Sequence, residues 1–396
     1  MQELFSLHQK LLRNTSLDFQ RSLLASIRWE NRLIGITGAR GVGKTTMLLQ
    51  YLKKQFGEGD STVLFVSLDH FWFSANSLLD LADQFTKMGG KVLVLDEVHK
   101  YPDWSRQLKN IYDFYPELKV IFTGSSLLEI LNSAADLSRR ALIYQLSGLS
   151  LREYINLETD LKLPILKMED ILDRHVELSN ELLTGFRPFQ YFKDYLKKGY
   201  YPFSRAFGEL YEQQLTAVVN LVLEVELPQL RKFDVAYVPK IKQLLAIIAD
   251  SVPFVPNVTK LGQKIGINRT TLLTYFHYLD QSKLTKNLYQ STEGISLLQK
   301  PSKLYLENTN LAFALGKNVD IGNLRETFFL NQVGYHHKVV LPPKGDFLIN
   351  KSWNIEVGGA GKSLSKAGLD SGFIAADDIE TGFGSKIPLW LFGFLY

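Results

Sequence analysis

The densest chemical signal in the chain is the run Gly38-Ala39-Arg40-Gly41-Val42-Gly43-Lys44-Thr45. It fits G-x-x-x-x-G-K-[ST] in full, the Walker A or P-loop pattern. Glycines at this spacing let successive backbone N–H groups turn toward phosphate oxygens, and a following helix adds the partial positive charge of its N-terminus. Lys44 is expected to reach the β- and γ-phosphates of ATP, and the Thr45 hydroxyl to ligate Mg²⁺. Gly38, Ala39, Arg40, Gly41, Val42, Gly43 and Thr46 complete the expected nucleotide contacts. A second signal is Val92-Leu93-Val94-Leu95-Asp96-Glu97, four apolar residues and then two acids, the Walker B pattern. Asp96 is expected to hold Mg²⁺ with Thr45, and Glu97 to polarise the attacking water. Thr123 and Ser125, in Ile121-Phe122-Thr123-Gly124-Ser125-Ser126, could touch the γ-phosphate or that water. The same residue types cap helices, so both readings stay open. Arg139 and Arg140 could stabilise transition-state charge, in cis or across a subunit boundary. The alternative is a solvated basic pair.

These residues need a scaffold that brings distant strand ends together, and the hydrophobic pattern supplies one. Apolar, β-prone runs fall at 33–37, 62–68, 91–95, 118–123 and 141–146, with helical periodicity between them. That alternation predicts an α/β fold with a five-stranded parallel sheet. In open α/β sheets ligands bind beyond the carboxyl ends of the strands, where the loop and both acids fall. Residues 1–30 read as helical from the spacing of Leu4, Leu7, Leu11 and Leu12 and of Leu23, Leu24 and Ile27.

The chain has 396 residues, 45% hydrophobic and 22% charged, enough for two to four domains with cores of their own. A net charge of +4 neither demands nor excludes nucleic acid. With no cysteine, disulfides and thiolate metal sites are excluded. No apolar run approaches the ~20 residues of a membrane span. The expectation is a soluble cytoplasmic protein with no membrane partner. The apolar stretch Ile387–Tyr396 reads as a buried strand.

Together, Thr37–Thr46, Leu95-Asp96-Glu97-Val98-His99-Lys100-Tyr101-Pro102-Asp103-Trp104 and Phe122–Ser126 resemble a large group of uncharacterised prokaryotic AAA+ ATPases. In that group an N-terminal ATPase domain is joined to a C-terminal region with winged-helix and restriction-nuclease-like parts. Leu149-Ser150-Leu151-Arg152-Glu153-Tyr154 looks like the group's exit from the ATPase core. Tyr195–Pro202 looks like a later family segment, with Tyr200 where a second glycine is usual. The resemblance implies a sheet in which the strand ending in Thr123 lies between the P-loop strand and the strand ending in Asp96. It also implies that a helical lid or connector follows the ATPase core. The expected domains are a helical segment (1–30), an AAA+ domain (31–160), a helical connector (161–235), a winged helix (236–305) and a restriction-nuclease-like α/β domain (306–396).

Within the third quarter, Val258, Leu261 and Ile265 mark one helix, Gly266-Ile267-Asn268 a turn with Asn268 as N-cap, and Arg269–Leu279 a second helix. The runs flanking Lys300-Pro301-Ser302 would form a β wing. DNA is therefore one expected partner, although the second helix carries few phosphate-binding charges. In the last quarter, Glu326, Asp346 and Glu356 resemble the acids of nuclease folds. Gly358 stands where active members of that fold have lysine, and the only stand-in is Lys362, on a glycine-rich stretch. The departure predicts a non-catalytic domain. The leading expectation is an Mg²⁺-dependent ATPase, acting alone or as a homo-oligomer, whose hydrolysis drives or resets a conformational change in the C-terminal half. The alternatives are a nucleotide-switched binding module with very slow hydrolysis and an ATP-regulated DNA nuclease.

Overall fold

The computed structural model describes residues 1–125, 137, 139–231, 233–251, 253–290, 300–363 and 372–396. The chain divides into two compact units, Met1–Ser147 and Gly148–Tyr396.

The first unit is built on strands β1 (Leu33–Gly38), β2 (Val63–Ser67), β3 (Val92–Asp96), β4 (Lys119–Ser125) and β5 (Leu142–Gln145). All pairings are parallel, and the spatial order is β2-β3-β4-β1-β5. Strand β4 therefore lies between β1 and β3, as the resemblance implies. Strands β1 to β4 are apolar along nearly their whole length because helices cover both faces of a parallel sheet. The helices are α1 (Gln2–Arg13), α2 (Leu23–Ser26), α3 (Lys44–Phe56), α4 (Leu78–Lys87) and α5 (Trp104–Phe114). Residues 1–30 are not one helical segment: α1 ends at Arg13, and only the short α2 follows. Of the residues that suggested a continuous helix, Leu4, Leu12, Leu24 and Ile27 are buried, whereas Leu7 and Leu11 are exposed on α1.

Helix α1 also closes a sheet edge. Strand β2 is an edge strand, and the backbone N–H of its Phe65 donates to Nδ1 of His8, 3.1 Å away. That bond satisfies an amide that the sheet leaves unpaired. His8 is 2% exposed, and burial pulls its pKa down to about 4.

The second unit opens with helices and carries a buried polar hub. The backbone widens into a π-turn over Tyr195–Gly199. Asn310, fully buried, donates to the carbonyls of Tyr195 and Leu196 at 3.0 and 2.9 Å. Its Oδ1 accepts from the Tyr200 N–H at 2.9 Å and the Tyr211 hydroxyl at 2.6 Å. One amide thus satisfies groups that the wide turn frees. Helices Val258–Ile265 and Arg269–Gln281 are joined by a turn with Gly266 in the left-handed region. Asn268 caps the second, accepting from the Thr271 N–H at 2.8 Å. Strands β6 (Thr285–Leu288) and β7 (Lys303–Leu306) pair antiparallel. The run 295–298, expected as one side of a wing, lies outside the described residues.

The unit ends in a mixed sheet of β8 (Val339–Val340), β9 (Phe347–Ile349), β10 (Trp353–Gly358), β11 (Gly372–Ala376) and β12 (Lys386–Pro388), in the order β12-β11-β10-β9-β8. The C-terminal apolar stretch is not the strand expected of it. Only Lys386–Pro388 is extended, and Leu389–Phe394 turns into a 3₁₀ helix. A short apolar run is buried equally well by either conformation, so its pattern does not distinguish them. Among the described residues no helix is long and apolar enough to cross a membrane.

His8 generates a pH prediction. Its folded-state pKa lies below the ordinary 6.5, so the unfolded chain takes up a proton that the folded one refuses. Stability contributed by neutral His8 is complete above pH 6.5 and is lost as pH falls from 6.5 toward 4. His8→Gln keeps an acceptor but cannot titrate. It should narrow the stability loss over that window by on the order of 1 to 3 kcal/mol, read by urea unfolding at pH 7 and pH 4.5. Equal losses in the two proteins would show that His8 is not the group responsible.

Candidate active site

Strand β1 delivers Gly38 to the carboxyl edge of the sheet, and α3 begins at Lys44. Between them Gly41 and Gly43 adopt φ of 84° and 95°, a left-handed conformation that disfavours side chains. Gly38 has a different reason to be glycine. A Cβ there would lie 2.2 Å from the backbone oxygen of Leu146, where β5 passes. The Lys44 ammonium donates to the carbonyls of Gly38 and Ala39 at 2.8 and 3.0 Å. It is folded back over the loop it belongs to, at the place where phosphate oxygens would compete for it. Thr46 is exposed on the first turn of α3, and Val42 is fully buried beneath the loop.

A chain of hydrogen bonds links the loop to the two neighbouring strand ends. The Thr45 hydroxyl donates to Oδ2 of Asp96 at 2.8 Å. The Thr123 hydroxyl donates to Oδ1 of the same carboxylate. Thr123 Oγ1 in turn accepts from the Glu97 N–H at 2.9 Å. Asp96 is 5% exposed, and burial, partly opposed by the two threonine hydrogen bonds, pushes its pKa up. Glu97 occupies φ 54°, ψ 47°, a left-handed conformation that costs a non-glycine residue on the order of 1 to 3 kcal/mol. Its carboxylate faces Arg40 at 3.8 Å and Lys100 at 3.7 Å. Ser125 pairs in register with Gly38 and is buried at the tip of β4. The structure thus gathers Gly38, Arg40, Lys44, Thr45, Asp96, Glu97, Thr123 and Ser125 at one edge.

It does not bring the two arginines there. They precede β5, whose Leu142 is level with Ile34 at the start of β1, so they lie toward the opposite edge of the sheet. Arg140 is paired with Asp113 of α5, Nε to Oδ1 at 3.1 Å. In this arrangement the length of a strand separates Arg140 from the carboxyl edge where the loop lies. Arg139 is exposed beside it.

One residue escaped the sequence reading. Arg21 is 6% exposed and donates from Nη1 to the Val42 carbonyl at 2.7 Å and from Nη2 to the Ser147 carbonyl at 2.8 Å. It ties the loop to the chain leaving β5. Its partners lie 21 and 126 residues away, and no local pattern signals them.

A parallel sheet in the order β2-β3-β4-β1-β5, with a glycine loop following β1 and a buried Asp at the end of β3, defines a P-loop domain of the AAA+ fold. Residues 30–155 match the family model described as an AAA domain, and residues 189–322 match one described as a domain of unknown function. Over 392 residues the chain is 26% identical to an uncharacterized protein of Methanocaldococcus jannaschii, covering 89% of this chain and 82% of that one. Among solved structures it is similar to the Aeropyrum pernix Orc1 protein in complex with DNA, at 13% identity and TM-score 0.32, over 78% of this chain and 91% of that one. It is also similar to AMPPCP-bound DnaA from Aquifex aeolicus, at 15% identity and TM-score 0.26, over 71% and 89%.

The close approach at Gly38 makes a test of the loop. Gly38→Ala places a methyl against backbone that cannot swing aside, so loop or strand must shift at a cost of about 1 to 3 kcal/mol. Unfolding measurements should show that loss, with nucleotide affinity reduced by at least ~tenfold in equilibrium dialysis. Wild-type stability in Gly38→Ala would contradict the contact with Leu146.

Proposed function

We propose that the N-terminal unit binds ATP with Mg²⁺ and hydrolyses it. The observation that carries this reading is the Thr45–Asp96–Thr123 hydrogen-bond chain beside a loop on which Lys44 is already docked. A nearly buried carboxylate and a hydroxyl 2.8 Å apart at a sheet edge form an oxygen donor set that suits Mg²⁺. Thr45 and Asp96 would hold the ion, Asp96 directly or through water, and the ion would neutralise charge on the β- and γ-phosphates. Lys44 would exchange its two loop carbonyls for phosphate oxygens. The N–H groups of residues 38–46 would cradle the phosphates. Glu97 would accept a hydrogen bond from the attacking water. Its carboxylate lies 3.8 Å from the Arg40 guanidinium and 3.7 Å from the Lys100 ammonium. Thr123 is best read as a positioning residue, since its hydroxyl is engaged by Asp96 and the Glu97 amide. Ser125, beside Gly38, is the better candidate for phosphate contact. Hydrolysis is then in-line attack with the protein supplying position and charge. Arg139 and Arg140 fit this reading only in trans, on the nucleotide of a neighbouring copy in a homo-oligomer. Coupling to the C-terminal unit would make hydrolysis drive or reset a conformational change there.

Lys44→Ala should weaken nucleotide binding by at least ~tenfold, since buried phosphate charge loses its cation. Glu97→Gln should keep binding and lower turnover by about 10²- to 10⁴-fold. Release of inorganic phosphate and binding of a fluorescent ATP analogue separate the two. Wild-type turnover in Glu97→Gln would remove Glu97 from the mechanism. An arginine in trans should make turnover per chain rise with protein concentration, and the responsible Arg→Ala should abolish that rise.

A second reading has an observation of its own. A lysine on a glycine-rich stretch was not expected to be held near Asp346 and Glu356, yet Lys362 Nζ lies 3.3 Å from Asp346 Oδ2 and 3.5 Å from Glu356 Oε2. Its side chain fills the space over Gly358, where a Cβ would meet Lys362 Cδ at 2.7 Å. Asp346 is fixed by accepting from the Val357 N–H at 2.9 Å. On this reading Lys362 would stand in, from the following loop, for the lysine that Gly358 lacks. Two carboxylates and an ammonium form a set able to bind a divalent cation and orient water for phosphodiester cleavage. Plasmid nicking with Mg²⁺ or Mn²⁺ that disappears in both Asp346→Ala and Lys362→Met, while ATP turnover persists, would establish this second activity. Absence of nicking under all metal and ATP conditions would leave the acids a structural ion-pair cluster.

A further inference from the structure

A cavity of about 460 Å³ opens on the second of the two short-turn helices, Arg269–Gln281. Its floor is a helical stripe. Thr270, Thr271, Thr274, Tyr275 and Tyr278 recur at i, i+1, i+4, i+5 and i+8, which places them on one face. Its wall is the segment leading into the helix Val238–Ala249, chiefly Phe233 and Tyr237. Phe233 is the hub: its ring centroid is 5.4 Å from that of Tyr275, 6.1 Å from Tyr278 and 6.5 Å from Tyr237, all steeply tilted. Edge-to-face contacts of this kind fix rings against one another, so the wall is pre-formed. Two cations border it. Lys240 lies 5.6 Å over the Tyr237 ring and donates to the Gly266 carbonyl at 2.7 Å, and Arg231 bonds Gln281 at 2.8 Å. Asp234 supplies the one acid, and its carboxylate accepts from the Ala236 N–H.

This arrangement bears on what the helix pair can bind. Duplex readout lays the N-terminal half of a second helix, as a convex ridge, into a major groove about 12 Å wide. Here Arg269 and Thr270 stay exposed, but Thr271, Thr274 and Tyr278 are half-buried along the cavity beside Phe233 and Tyr237, and a cavity along such a stripe receives a single inserted group. Aromatic faces recognise planar rings, cations with threonine hydroxyls recognise phosphate, and the volume falls in the range of small-ligand pockets.

We propose that the cavity between the helix Arg269–Gln281 and the segment 233–240, bordered by Arg231, is a binding site for one nucleobase with its phosphate, taken from a single strand or from a free nucleotide. The base stacks on Tyr237 and Tyr278 in the space beside Phe233. The phosphate lies toward Lys240 and Arg231, within reach of the threonine hydroxyls. Every base has a π face, so the site tolerates sequence and discriminates against paired duplex, whose bases are not free to enter. The proposal does not rest on the ATP reading, and its probes carry no triphosphate.

The test uses the full chain and a 5′-fluorescein-labelled ten-residue oligothymidylate, followed by anisotropy. Competitors are the unlabelled oligomer, a duplex of the same length and thymidine monophosphate. Two variants address opposite halves of the site. Thr271→Glu puts a negative charge where the phosphate is proposed, at the third helical position, where glutamate favours the helix. Tyr278→Ala removes a stacking face. Both should weaken the oligomer by about tenfold or more, with thermal unfolding of Thr271→Glu unchanged. Lys44→Ala should bind the oligomer as the wild type does. Competition by the unlabelled oligomer alone identifies a strand as the source, and equal competition by the monophosphate identifies a free nucleotide. No binding by the wild type, wild-type affinity in both variants, or competition by duplex equal to that by single strand would each overturn the proposal.

Discussion

One buried carboxylate organises the nucleotide edge. Asp96 ends β3, yet Thr45, its partner, follows β1, and β4 runs between the two strands. The carboxylate can reach across only because Thr123 of the intervening strand also presents a hydroxyl to it. Desolvating such a group without partners would be costly, so the bonds are obligatory. Satisfying them fixes the relative advance of three strands and the first turn of α3. Burial pushes the Asp96 pKa up, and the two threonine hydrogen bonds oppose the shift. A divalent cation arriving at the same oxygens would favour the anion further.

The loop depends on a second, quieter constraint. A phosphate loop with glycines in left-handed conformations is entropically expensive to hold open. Arg21 pins the Val42 carbonyl from beneath and anchors itself on Ser147. Lys44 meanwhile caps the carbonyls of Gly38 and Ala39. Both cations reduce the cost of the conformation before any nucleotide arrives, which is what pre-organisation means here. They differ in that Arg21 is buried beneath the loop, while Lys44 can transfer its hydrogen bonds to a ligand.

Legibility in the sequence followed the locality of the physics. The loop, the apolar strand ending in Asp96 and Glu97, and the five-strand alternation are contiguous patterns, and the sheet order came with the family resemblance. The helix pair was equally readable, down to Asn268 as N-cap, because capping is a three-residue event. What could not be read depends on long closure. Arg21 meets Ser147 across 126 residues, and His8 meets Phe65 across 57. Asn310 reads as an ordinary polar residue until the π-turn at Tyr195–Gly199 frees the carbonyls it serves. Lys362 was seen but misjudged. A glycine-rich stretch argues for an unheld lysine only until its stem has somewhere to pack, and Gly358, by lacking a side chain, provides the place.

That exchange of positions shows how the geometry a motif encodes can be met from another position in the chain. A nuclease-type lysine is needed for where its ammonium stands, near two carboxylates, and not for which Cα carries it. With lysine two residues after Glu356, the stem would rise from β10 itself. With glycine there, the strand leaves a slot, and a lysine four residues later can lie down into it and reach the same acids. Burial of its stem tends to lower the Lys362 pKa, but Asp346 and Glu356 outweigh that and hold it above the ordinary lysine range, so the ammonium stays charged. Helix-borne Glu326 faces a different balance: burial raises its pKa, and it is held by the Tyr305 hydroxyl at 2.7 Å. The three acids thus have unlike partners, Asp346 and Glu356 an ammonium and Glu326 a tyrosine hydroxyl, so the cluster is not one uniform set of ion pairs.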